Sequence, residues 1–178
     1  MMDRDETRRT RDEADRGRDA RDRDEAGRAR NARPRDAYGR PLPHGAQGEE
    51  RVPDDYVAPP EEALAEAQRL LDADRPFHAH EVLEAAWKAA PDPERELWKG
   101  LAQMAVGFTH VRRGNAQGAQ ALLRRAADRI AAYDPAPYGI AAGSLSERAR
   151  TLADRIGRDG LTSVTVDDLA PRLVQDGE

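Results

Sequence analysis

The side chains best able to do chemistry crowd into FHAHEVLEAAW, residues Phe77 to Trp87, which holds His78, His80, Glu81, Glu84 and one of the two tryptophans. On a helix, residues three and four apart share a side, so His80, Leu83, Glu84 and Trp87 line up. His78 and Glu81 point elsewhere, with His78 in the first turn. A second stretch, ERELWKGLAQMAVGFTHVRRG from Glu94 to Gly114, adds Gln103 and His110, which are seven apart and hence nearly superposed around the axis. Gly100 and Gly107 lie beside them. Glycine in a helix interior costs about 1 kcal/mol relative to alanine, so two on one side mark the close approach of another backbone or of a ligand. With the two helices antiparallel, His80 and Glu84 would face Gln103 or His110 across the seam.

Three chemistries fit the set His80, Glu81, Glu84, Gln103 and His110. The first is a buried polar network, in which imidazole donates to carboxylate and the amide satisfies the remainder. The second is a metal or acid–base site using His80, Glu84 and His110, since imidazole and carboxylate on neighbouring helices suit zinc, manganese or iron. A histidine held by a carboxylate could also shuttle protons. The third is a pocket for a small polar ligand or a peptide. The di-iron pattern needs Glu-x-x-His on two of four helices; only the reversed order, His78-x-x-Glu81, occurs here. No glycine-rich phosphate loop or dinucleotide fingerprint is present, and Ser144, Ser146 and Ser163 have no histidine near them in sequence. Lys99, a lone cation beside Gly100, is expected to reach the surface.

The elements that must position these residues begin at Pro60. PPEEALAEAQRLLDADR opens with prolines and acids, as a helix start should, and Leu64, Ala67 and Leu71 follow at helical spacing. The second helix runs to about Ala90. In the third, Leu97, Leu101, Met104, Phe108 and Val111 form one stripe while Trp98, Ala102, Ala105 and Thr109 form another, which describes a central, surrounded helix. Gly114 and Asn115 close it and cap the fourth, where Ala119, Leu122, Leu123, Ala126 and Ile130 share a face. Ser144 and Glu147 suggest a capping box for a fifth helix. The tail is expected to dock through Val164, Val166, Leu169 and Val174.

Composition sets the outer limits. The chain has 178 residues, a formal charge of −5 and no cysteine, which excludes disulfides, thiolate catalysis and Cys-ligated metal and fits a cytoplasmic setting. No apolar run approaches bilayer length, and no membrane partner is expected. Residues 1–60 hold 14 Arg against 15 acids and have little to bury; such mixed charge reads as a solvated, disordered leader, with a transient helix in 1–25. Within it, RARNARPRDAYGRPLPHG gathers Arg28, Arg30, Arg33, Arg35 and Arg40 around a tyrosine and three prolines. Those arginines are candidate contacts for an anion or a nucleic acid, or for the domain's own surface. A nucleic acid is the least expected partner, because acids elsewhere in the leader cancel its positive charge.

The pattern as a whole resembles the helical family catalogued as domain of unknown function 309. The resemblance rests on Phe77, Ala79, His80, Glu81, Leu83, Glu84, Trp87, Arg95, Gly100, Leu101, Gln103, His110, Gly114, Asn115, Gly118 and Ala119. RARNARPRDAYGRPLPHG also resembles a segment that actinobacterial members carry before the helices. The resemblance implies an all-helical fold, supplies no activity, and directs attention to His80, Glu81, Glu84, Gln103 and His110 as a common site.

These readings combine into an all-α chain, a compact bundle of about five antiparallel helices behind a disordered charged leader. The leader is 1–58, the helical domain 59–160 and the tail 161–178. The leading functional expectation is a non-catalytic protein- or ligand-binding module without a cofactor, working as a homodimer or with a protein partner. The alternatives are a divalent-metal hydrolase or oxidoreductase built on His80, Glu84 and His110, and nucleic-acid binding through Arg28 to Arg40.

Overall fold

The structure, a computed structural model, describes residues 34–176. What the sequence suggests for residues 1–33, including the transient helix and the contacts Arg28, Arg30 and Arg33, lies outside the described residues. Five α-helices are formed: α1 (Pro60–Asp72), α2 (Pro76–Ala89), α3 (Arg95–Arg112), α4 (Ala116–Ala131) and α5 (Ala142–Asp159). No strand forms among the described residues; Ile140 and Val174 form an isolated bridge.

Local chemistry places the helix ends. α1 and α2 each begin on a proline, whose missing N–H would have lacked a partner there. Gly114 takes φ +76°, the left-handed turn that closes α3. Asn115 then accepts the Gly118 N–H at 2.9 Å and caps α4. The expected Ser144–Glu147 box is not used. α5 starts earlier, at Ala142; the preceding Ala141 N–H donates to Leu173 O at 2.9 Å, and within the helix Ser146 Oγ donates to Ala127 O at 3.0 Å in the interior.

Each helix packs on the next along the chain, and α3 lies against both α2 and α4. Both of its predicted stripes are buried: Leu97, Trp98, Leu101, Ala102, Met104, Ala105, Phe108 and Thr109 are all enclosed, and Val111 is half-buried. The two glycines mark its contact with α4. A methyl built on Gly100 would sit 2.9 Å from Ile130 Cγ1, and one on Gly107 would sit 2.9 Å from Leu123 Cγ.

The described residues fall into two units. One includes Pro34 and 41–47, where Leu42 N donates to Pro34 O at 2.8 Å and Ala46 N to Pro43 O at 3.1 Å. The other comprises Arg35–Arg40 and the chain from Gly48 onward. Thus part of the leader packs with the helices. Residues 48–59 run without helix toward α1, with Val52, Tyr56 and Ala58 on the core and Glu49 paired with Arg75 at 2.6 Å. The tail docks through Leu169 and Val164 as expected, but through Leu173 in place of Val166 and Val174. Leu169 and Leu173 are buried, while Val166 and Val174 are exposed. Gln68 fixes this register: its Oε1 accepts Leu173 N–H at 2.9 Å and its Nε2 donates to Pro171 O at 3.2 Å. Alternation along extended chain then turns Val174 outward.

Candidate functional site

The five residues singled out by spacing occupy two different faces. On α2, His80 Nε2 lies 3.2 Å from Glu84 Oε2, and Lys88 Nζ lies 3.0 Å from Glu84 Oε1, so one carboxylate bridges imidazole and ammonium. Glu81, one residue round the helix, is almost fully buried and engages Arg51 through both Nε and Nη2. Its second oxygen accepts the Val52 N–H at 3.3 Å. On α3, Gln103 and His110 turn toward α4. Gln103 Oε1 accepts from Arg129 Nε at 3.0 Å, and His110 Nδ1 lies 3.1 Å from the Asn115 side-chain amide. Gln103 and His110 follow Gly100 and Gly107 around the axis, and the small side of α3 is the side on which α4 approaches. The seam foreseen between His80–Glu84 and Gln103–His110 therefore has other partners on each half.

Burial decides the protonation of the two histidines. His80 is held below its ordinary pKa chiefly because the interior disfavours its charge, outweighing the attraction of Glu84 and Glu81, with Lys88 adding repulsion. The lowered pKa favours the neutral ring, which sits with Nε2 at 3.2 Å from Glu84 Oε2 and with Nδ1 sealed from solvent. His110 is lowered by burial and by the charge of Arg113. His78 behaves as a core residue: it is 3% exposed, stands edge-on to Phe77 at 5.8 Å, and neither ring nitrogen has a hydrogen-bond partner. Among the described residues, no group of three or more His, Asp or Glu side chains is placed to hold a metal ion.

Beside Glu81 and Glu84 lies an open cleft of about 410 Å³ between α2 and the segment 51–57. Asp54, Asp55, Tyr56 and Val57 form one wall; Glu81, Glu84, Ala85, Lys88 and Ala89 form the other. This segment falls within the stretch 1–58 that its charge pattern marks as leader. The available signal was Val52, Tyr56 and Val57, apolar residues close together in an otherwise charged stretch. Lys99 is part-exposed, and its Nζ lies 5.3 Å from the centre of the Trp87 ring.

Of the leader arginines within the described residues, Arg35 and Arg40 belong to a turn organised by Asp36. Its carboxylate accepts Tyr38 N–H at 2.9 Å, Arg40 N–H at 2.8 Å and Arg40 Nε–H at 2.9 Å. Gly39, at φ +71°, lies so close to Phe77 that a Cβ there would fall 2.3 Å from the ring. Arg113, at the end of α3, donates from Nε to Tyr38 O at 2.8 Å. Among the described residues this turn meets an aromatic ring, Phe77, and the end of α3.

The comparisons with known proteins bear on the same helices. Residues 64–122 match the family described as Domain of unknown function (DUF309). The DUF309 match spans most of α1, all of α2 and α3, and the first part of α4, and thus contains His80, Glu81, Glu84, Gln103 and His110. The chain is also 44% identical over 48 residues to the uncharacterized protein YpuF of Bacillus subtilis (strain 168). That match covers 26% of this chain and 28% of the relative. No solved structure matches. Among the described residues, no helix is long and apolar enough to cross a membrane.

Proposed function

We propose that the DUF309 helices serve as a non-catalytic binding module whose working surface is the cleft between α2 and residues 51–57, and that its ligand is a basic peptide segment of a protein partner. The observation that carries this reading is the pairing of the polar side chains. His80 and Lys88 engage Glu84, and Arg51 engages Glu81. Asp54 and Asp55 are exposed on the rim of the cleft and form no ion pair among the described residues, since Arg51 and Lys88 of the same cleft are engaged by Glu81 and Glu84; beside them Val57 is 79% exposed. Two uncompensated carboxylates beside an apolar side chain complement a segment that alternates Lys or Arg with aliphatic residues. A volume of about 410 Å³ accommodates a few such side chains. Acid–base chemistry at His80 has little support: one nitrogen is engaged by Glu84 and the other is sealed.

The test is a titration of the full chain with a fluorescent peptide of alternating lysine and leucine, against a control that has glutamate for lysine. The basic peptide should bind, weaken as salt rises, and lose most of its affinity in the Asp54→Asn, Asp55→Asn double variant, with His80→Gln unchanged. Equal affinity of the double variant would refute the cleft as the site. Stoichiometric metal in the purified protein, lost in His80→Ala or His110→Ala, would replace binding by metal chemistry.

A further inference from the structure

His78 is 3% exposed, and neither of its ring nitrogens has a hydrogen-bond partner. A native interior seldom holds such a group without a use for it. The residue lines a hollow of about 250 Å³ between α1, α2 and residues 50–56. The arginines around that hollow are already engaged, Arg51 by Glu81, Arg69 by Glu66 and Arg75 by Glu49. Glu50, which is exposed and also lines it, disfavours an anion. The remaining polar groups are the His78 ring and the Tyr56 hydroxyl, which forms no hydrogen bond among the described residues. Burial, with the charges of Glu66 and Glu62, pushes the Tyr56 phenol up, so it keeps its proton and can donate. Val52, Leu70 and Val82 supply apolar wall.

We infer that this hollow is a second binding site, which takes a small uncharged molecule with a hydroxyl on an apolar body and holds that hydroxyl between His78 and Tyr56. A neutral imidazole has one nitrogen that accepts, and a phenol has an O–H to give. A ligand hydroxyl is the complement of that pair, since it donates once and accepts as well. The volume lies below the range of about 300–1,000 Å³ typical of drug-sized pockets, which limits the occupant to about one ring. Both His78 nitrogens are closed to solvent, so the outer wall must shift for a molecule to reach them. That wall is tied down at one end, by Glu49 with Arg75 and by Arg51 and Val52 with Glu81. Among the described residues no hydrogen bond joins 53–56 to α1 or α2, so this part can yield. The inference does not rest on the reading of the cleft. Arg51, Val52, Pro53 and Tyr56 line both, but Asp54 and Asp55 line the cleft and not the hollow.

The experiment titrates the full chain with benzyl alcohol, followed by the nitrogen signals of the His78 ring, with benzoate as the charged comparison. Benzyl alcohol should bind saturably and move those signals, and benzoate should bind at least about tenfold more weakly. Tyr56→Phe should weaken benzyl alcohol about fivefold and His78→Leu about tenfold or more, because each removes a hydrogen bond to its hydroxyl. His78→Leu should keep its urea midpoint, since it replaces unpartnered nitrogens by an apolar side chain. The Asp54→Asn, Asp55→Asn double variant should bind benzyl alcohol as the parent does, which keeps a failure here distinct from a failure of the cleft. Absence of saturable binding, unmoved His78 signals at saturation, or equal binding by Tyr56→Phe would overturn the inference. A His78→Leu midpoint that falls sharply, while benzyl alcohol leaves the parent unaffected, would overturn it in favour of a buried water on the ring.

Discussion

Replacing glycine by alanine at three helical positions should give opposite results that depend only on what lies opposite. In a helix interior alanine is favoured by about 1 kcal/mol, so a glycine facing open space or a yielding neighbour should gain from the change. Gly157 on α5 is such a case: its new methyl would meet Gln120 Oε1 at 2.7 Å, the far end of a flexible side chain that can swing away. Gly107 is the contrary case. Its methyl would stand 2.9 Å from Leu123 Cγ and 3.0 Å from Cδ2, and Leu123 is fully buried. Carbon atoms pack at about 3.5–4.0 Å, so half an ångström or more must be absorbed by a core with no room to yield. Gly100 repeats the problem at 2.9 Å from Ile130 Cγ1 and 3.1 Å from Arg129 Cβ. Overpacking of this kind costs about 1–3 kcal/mol, which exceeds the gain in propensity. We therefore expect Gly157→Ala to stabilise by up to about 1 kcal/mol and each of Gly100→Ala and Gly107→Ala to destabilise by about 1 kcal/mol. Urea unfolding would register the gap of about 2 kcal/mol as a midpoint difference of roughly 1 M. If all three variants gained stability alike, α3 and α4 would not approach as closely as described, and the account of α3 as the enclosed helix would fail.

Two further outcomes follow from the α2 face and the buried histidines. Glu81→Gln keeps the shape but leaves Arg51 without its carboxylate; stability should fall by about 1–2 kcal/mol, and the Val52 amide, which donates to Glu81, should exchange with solvent faster. An unchanged Val52 exchange rate would mean that Glu81 does not hold the segment 51–57. Because burial keeps His80 and His110 below their ordinary pKa, the unfolded chain takes up protons first as pH falls below about 6.5. Stability should then decline from pH 7 toward pH 5, and His80→Gln or His110→Gln should flatten that slope in urea midpoints measured across the range; a slope unaffected by both would contradict the lowered pKa of the two part-buried rings.

Local rules made much of the fold legible. Prolines at the starts of α1 and α2, Gly114 with Asn115, and the double apolar stripe of α3 are each enforced within a few residues, by a missing N–H, a left-handed φ or a 3.6-residue period. Gly100 and Gly107 likewise announced a close approach, because only a neighbour in contact offsets the cost of glycine in a helix. The same spacing named His80, Glu81, Glu84, Gln103 and His110, and each does sit on an occupied face.

What spacing could not supply was the partner across each face. Period alone says that Gln103 and His110 share a side of α3; only packing put Arg129, Leu123 and Ile130 of α4 there in place of the carboxylates of α2. The cleft depended on Arg51 reaching Glu81 across thirty residues of sequence, and the arginine turn on Gly39 meeting Phe77 and on Arg113 meeting Tyr38, contacts that no local pattern encodes. Sequence by itself determined where α1 and α2 begin, where α3 ends and α4 starts, and which sides these helices bury, since those follow from backbone chemistry at short range, whereas α5 begins at Ala142 and not at the expected Ser144. Tertiary structure alone decided which charges are neutralised and which are left facing solvent, because that depends on distances between residues far apart in the chain.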